Sequence, residues 1–110
     1  MSLNDIAQRQ LDAYNAQDLD AYCSCFADDV VVADVGGATS LTGVEAFRAK
    51  YKQVFADFPQ NKVELLGRMV LGNTVIDHEK VIRAPGGDTF EVAAIYTFAG
   101  DKIARVDFAK

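Results

Sequence analysis

Asp34 ends the β-branched run Val30-Val31-Val32-Ala33 and precedes Val35-Gly36-Gly37. Turned inward from an apolar strand end, its carboxylate would lose hydration and its pKa would rise. It would then be a usable general base near neutrality. Turned outward, it is an ordinary turn aspartate. His78, the one histidine, lies in Ile76-Asp77-His78-Glu79-Lys80. Imidazole titrates near physiological pH, so His78 is a candidate donor if it shares an interior with Asp34. In a strand it sits on one face with Ile76 and Ile82, while Asp77 and Glu79 sit on the other with Val75 and Val81. Alternation alone leaves open which face is inside. A cross-strand salt-bridge row or a subunit-interface histidine fits the same spacing.

Other chemistries find less to work with. A single His among scattered carboxylates lacks the spacing of a metal site, and no structural zinc pattern occurs. The glycine pairs Gly36-Gly37 and Gly86-Gly87 mark turns and match no phosphate-loop motif. No cofactor is expected. Cys23 and Cys25, one residue apart in a predicted helix, would point away from each other, and a bridge between them would be badly strained. No general base is placed beside either thiol, so helix packing is their simplest role. Reduced thiols, and a start (Met1-Ser2-Leu3-Asn4-Asp5) without the charged and apolar regions of a signal peptide, predict a cytoplasmic protein.

Charge narrows the partners. Sixteen acidic residues against 11 basic give a net charge of -5. No basic stripe exists to neutralise phosphates, so nucleic acid is excluded, and anionic lipid is disfavoured for the same reason. The apolar runs are too short to span a bilayer. Half the residues are apolar, with seven Phe and four Tyr but no Trp, which is rich for a chain of 110 residues. That length suffices for a single domain, residues 1–110, with a sizeable core.

The elements that must position these residues follow from periodicity. Ser2 with Asp5 resembles a capping box for a first helix carrying Leu3, Ile6, Ala7, Leu11 and Tyr14. Asp18 caps a second, shorter helix with Leu19, Tyr22, Cys23 and Phe26 on one face, which Asp28-Asp29 closes. Val30–Asp34 is a short strand. Thr42 and Glu45 form a second capping-box match, opening a helix with Val44, Phe47, Tyr51, Val54, Phe55 and Phe58 on its stripe, stopped by Pro59. Four strands follow, Val63–Leu71, Thr74–Ile82, Thr89–Phe98 and Lys102–Phe108, joined by turns short enough to force antiparallel neighbours. The predicted class is α+β, with helices packed on a curved sheet.

The run from Tyr14-Asn-Ala-Gln-Asp18 through Phe26-Ala-Asp-Asp29 to Asp34 resembles the opening of the nuclear transport factor 2-like superfamily. The start Thr42-Gly-Val-Glu-Ala-Phe-Arg48 and the ending Tyr96-Thr-Phe-Ala-Gly-Asp-Lys102-Ile fit the same pattern. The likeness covers nearly the whole chain and is strongest to the SnoaL-like and ketosteroid-isomerase-like (steroid delta-isomerase) branch. It implies a cystatin-like curved antiparallel sheet forming a cone around three helices from the N-terminal half, with a pocket opening inside. Fold does not by itself set function. The resemblance implies a protein that binds a small apolar carbonyl compound, with proton transfer of isomerase, cyclase or dehydratase type. A non-catalytic ligand-binding or dimerisation module of the same fold is the alternative.

Asp34 falls on the position of the isomerase's general base. The two oxyanion-stabilising positions hold Gln10 and Ala94 here, so those strong donors are absent. Tyr14, one helical turn from Gln10, is the substitute donor, with His78 as the other candidate. The cone turns core aromatics into pocket walls. Phe26, Tyr51, Phe55 and Phe58 would serve from the first half of the chain, and Met69, Tyr96 and Phe108 from the strands. In the strand Thr89–Phe98 one face reads Phe90, Val92, Ala94, Tyr96, Phe98 and the other Glu91, Ala93, Ile95, Thr97. Neither face is strongly polar, and helices can cover only one. A second copy related by a two-fold axis is therefore expected on the other.

Overall fold

The computed structural model describes residues 1–110. Helix α1 (Leu3–Ala16) starts at the expected capping box: Ser2 Oγ accepts the Asp5 N–H at 3.1 Å, and the Asp5 carboxylate accepts the Ser2 N–H. Gln17, in the left-handed region at φ 55°, ends it. Asp18 caps α2 (Leu19–Cys23) by accepting the Ala21 N–H. The remaining elements are β1 (Phe26–Asp34), β2 (Thr39–Thr42), α3 (Val44–Asp57), β3 (Lys62–Leu71), β4 (Thr74–Ile82), β5 (Thr89–Ala99) and β6 (Lys102–Ala109). No helix is long and apolar enough to cross a membrane.

The six strands form one curved sheet in the order β2-β1-β6-β5-β4-β3. Strands β3 to β6 are the expected antiparallel meander. The first half departs from expectation in four places. First, β1 joins the free edge of β6 in parallel, making the sheet mixed. Short turns dictate direction only between the strands they join, and β1 reaches β6 through a helix and the whole meander. Second, α2 stops at Cys23, and Phe26 begins β1 rather than lying on the helix face; Asp28-Asp29 lie exposed within the strand, where its register with β6 shifts. Third, the polar segment Thr39–Thr42 folds back on β1 as the unexpected strand β2. Fourth, Thr42 is therefore held in the ladder, and Gly43 at φ 94° is the N-cap of α3, with no side-chain cap bond.

Helices cover one face of the sheet. That inner face receives Val75, Asp77, Glu79 and Val81 from β4, and Val92, Ala94, Tyr96 and Phe98 from β5. The main core is aromatic. Tyr22 stacks on Phe47 at 5.4 Å, Phe26 and Phe47 lie 4.3 Å apart, and Tyr51 contacts both Tyr22 and Phe47. A smaller cluster of Leu11, Val63, Val81 and Val92 lies nearer the sheet's far strands. Between the two clusters the interior is not filled.

Candidate functional site

A cavity of about 150 Å³ occupies that gap. The volume suits a ligand of about one six-membered ring. All four tyrosines of the chain line it: Tyr14 from α1, Tyr22 from α2, Tyr51 from α3 and Tyr96 from β5. Leu11, Val63, Val81 and Val92 supply the apolar wall. Burial pushes all four phenols up, so each is a protonated hydroxyl.

Glu79 projects into this cavity from the middle of β4 and is 6% exposed. Desolvation lifts its carboxyl from 4.5 to about 7, and the nearby charge of Asp77 adds to the rise. The charge of Arg68 and hydrogen bonding by Tyr96 only partly oppose it. The reason lies one pair along the sheet. Asp77, wholly buried, takes both forks of Arg68, Nε to Oδ1 at 2.7 Å and Nη2 to Oδ2 at 2.9 Å. Arg68 Nη1 turns to Asn4 and Gln8 of α1, each at 3.1 Å. The strongest nearby cation is thus committed to Asp77, and Glu79 is left in an apolar, tyrosine-lined setting.

Two hydroxyls can donate within the same space, that of Tyr96 toward Glu79 and that of Tyr14 toward a bound molecule. Gln10 Nε2 donates to the Tyr96 oxygen at 3.2 Å, and Asn61 Nδ2 donates to the Tyr14 oxygen. With a lone pair of each oxygen occupied, each O–H proton remains available. Arg83, whose charge acts on the Tyr14 hydroxyl, lines the cavity with Lys50 and Lys110. Its guanidinium lies 4.8 Å from the Phe58 ring centre and 5.4 Å from that of Phe90. No group of three or more His, Cys, Asp or Glu side chains converges to hold a metal ion.

The candidates read from sequence divide sharply. Tyr14, Tyr51, Tyr96 and Phe108 line the cavity. Asp34 does not; it is exposed at the end of β1, where the chain folds back through Gly36-Gly37 to β2, and its charge is felt by Lys50 at the rim. His78 also lies outside. The parity of β4 turns it to the outer face, where it pairs with Glu91 of β5 at 2.6 Å. Phe26 and Phe55 are buried in the aromatic core rather than at the cavity. Phe58, past the end of α3, lies under Arg83 and does not line the cavity, and Met69 is 57% exposed on the outer face of β3. Glu79, Gln10, Arg83 and Lys50 were not singled out as site residues. The signal for Glu79 was in the chain, as one of two acids, with Asp77, sharing a parity with Val75 and Val81; for Arg83, just beyond the strand, no local signal exists.

A helix-backed, curved six-stranded sheet with a cavity at its centre defines a cystatin-like α+β class. The sequence profile of the SnoaL-like domain matches residues 7–106, and the chain belongs to that family, within the nuclear transport factor 2-like superfamily. A cystatin-fold protein from Novosphingobium aromaticivorans is 37% identical, with a TM-score of 0.93, covering 100% of this chain and 99% of that one. A protein from Sinorhizobium meliloti, provisionally named a polyketide cyclase, is 29% identical at a TM-score of 0.81 and covers 96% and 94% of the two chains. A provisionally named ketosteroid isomerase from Kribbella flavida is 12% identical, at a TM-score of 0.80 over 94% and 73%, and shares the fold. A search of curated proteins returns no match.

Proposed function

We propose that this protein moves a proton next to the carbonyl of a small, largely apolar ring compound, with Glu79 as the general base. The observation that carries this reading is the buried Glu79 carboxyl, held near neutrality in a cavity of about one ring. A base with a pKa near the working pH combines a useful ionised fraction with driving force. In this scheme Glu79 takes the α-proton, and the electron pair of the broken C–H bond delocalises onto the carbonyl oxygen. The Tyr14 hydroxyl, assisted by Arg83, hydrogen-bonds to that oxygen, and Tyr96 holds the Glu79 carboxyl. Returning the proton to the same carbon exchanges it; returning it elsewhere isomerises the compound. The S. meliloti neighbour's name is in keeping with carbonyl chemistry of this kind. The two free, buried thiols are in keeping with a reducing compartment, and we place the protein in the cytoplasm.

Deuterium uptake at the α-carbon of cyclohexanone, followed by NMR in heavy water, tests the base. Wild type should exchange faster than buffer, Glu79→Gln should lose about 100-fold or more of the enzyme-dependent rate, and Asp34→Asn should retain it. Equal rates in wild type and Glu79→Gln would remove the assignment, and a wild-type rate no faster than buffer would leave a non-catalytic binding module of the same fold.

A further inference from the structure

We propose that the cavity is built for an anionic ligand: a ring compound bearing a carboxylate, its head group held by Arg83 with Lys50 beside it. This rests on the proton-transfer reading for what happens at Glu79, but the head-group site stands on separate observations. Arg83 Nη1 is buried and has no hydrogen-bond partner. Arg48, Arg68 and Arg105 each hold a carboxylate, whereas Arg83 is in no ion pair. The Phe58 and Phe90 rings fix its plane without satisfying its protons. A buried charged donor without an acceptor is costly, and a ligand oxygen at that point removes the cost.

The charge distribution agrees. The chain carries a net charge of -5, yet Lys50, Arg83 and Lys110 gather at this one cavity. They repel one another: Lys50 is shifted down by burial first and then by Lys110 and Arg83, with exposed Asp34 the opposing charge. A negative ligand relieves that repulsion. Arg83 lies four residues beyond Glu79, roughly 13 Å along an extended chain, and both side chains line the same cavity of about 150 Å³. The Tyr14 hydroxyl responds to the charges of both Arg83 and Glu79. One guanidinium edge matches the two coplanar oxygens of a carboxylate.

Binding can be read from the tyrosines, since all four line the cavity and the chain has no Trp. Benzoate and its neutral counterpart benzamide are titrated against wild type by tyrosine fluorescence and calorimetry. Benzoate should bind on the order of tenfold more tightly, and Arg83→Gln should erase the difference while leaving benzamide binding intact. Benzamide affinity thus reports that the variant's cavity is folded. Should that variant lose both ligands, Arg83→Lys, which keeps the charge without the fork, should bind benzoate more weakly than wild type while retaining benzamide. Glu79→Gln should keep benzoate binding even as α-proton exchange fails, which separates the two proposals. Equal wild-type affinities for benzoate and benzamide, an unchanged benzoate affinity in Arg83→Gln, or displacement of benzoate by an equal concentration of inorganic phosphate would each overturn the carboxylate site.

Discussion

Glu79 holds its proton up to about pH 7 in the folded chain, whereas an unfolded glutamate releases it near 4.5. Between those values the folded state binds more protons than the unfolded one, so stability falls as pH rises. The loss is complete above about pH 7 and amounts to roughly 3 kcal/mol. Urea unfolding of wild type and Glu79→Gln at intervals from pH 4 to 8 isolates this group, because the other titrations cancel in the difference. Wild type should lose ground to the variant across that window; parallel curves would show that Glu79 does not titrate there. The same proton governs the proposed chemistry. Activity depending on ionised Glu79 should climb through about pH 7 and level off above pH 8, measured as kcat/KM for exchange. A profile that falls over this range would make Glu79 an acid instead.

Between elements, the Arg68–Asp77 pair does the positioning. A bulge between Leu65 and Gly67 shifts the register of β3 against β4, so that Arg68 rather than Gly67 stands opposite Asp77. The guanidinium then reaches α1 through Asn4 and Gln8 and ties helix and sheet together. Arg68→Met would leave a wholly buried carboxylate without its cation and should cost about 3–5 kcal/mol in thermal or urea unfolding. Replacing both partners, Arg68→Met with Asp77→Leu, should recover most of it, since an apolar pair needs no counter-charge. A single variant within 1 kcal/mol of wild type would show the pair to be dispensable. The alternation of β4 was legible; the only local mark of the bulge was Gly67 inside the run Val63–Leu71, and a strand glycine fits a bend or a close backbone approach as well as a bulge.

The outer face of the sheet bears on the whole molecule. It presents Ile76, Ile82, Ala93 and Ile95 half-buried, with Met69 and Leu71 exposed, and the His78–Glu91 pair among them. The helices lie wholly on the other side. We propose that a second copy packs its own sheet there. Light scattering at high micromolar concentration should give twice the 12.0 kDa chain mass, and Ile95→Lys should return it to the single value. A single-chain mass for wild type would remove the dimer.

Residue types and their periods determined the helices and the meander, because burial in a helix or strand repeats at fixed intervals that the chain must satisfy; the cone followed from the family resemblance. The tyrosines that line the cavity were likewise visible as an aromatic surplus. Tertiary structure decided the site. Which face of β4 points inward depends on where the helices pack, and that placed Glu79 inside and His78 outside. Asp34 lies exposed because β1 ends with it, past the last buried residues of the strand, where the chain folds back to build β2. Arg83 comes to Tyr14, far away in sequence, only through the closure of the sheet around α1. Charge and burial at a single point are set by neighbours distant along the chain, and local spacing carries no record of them.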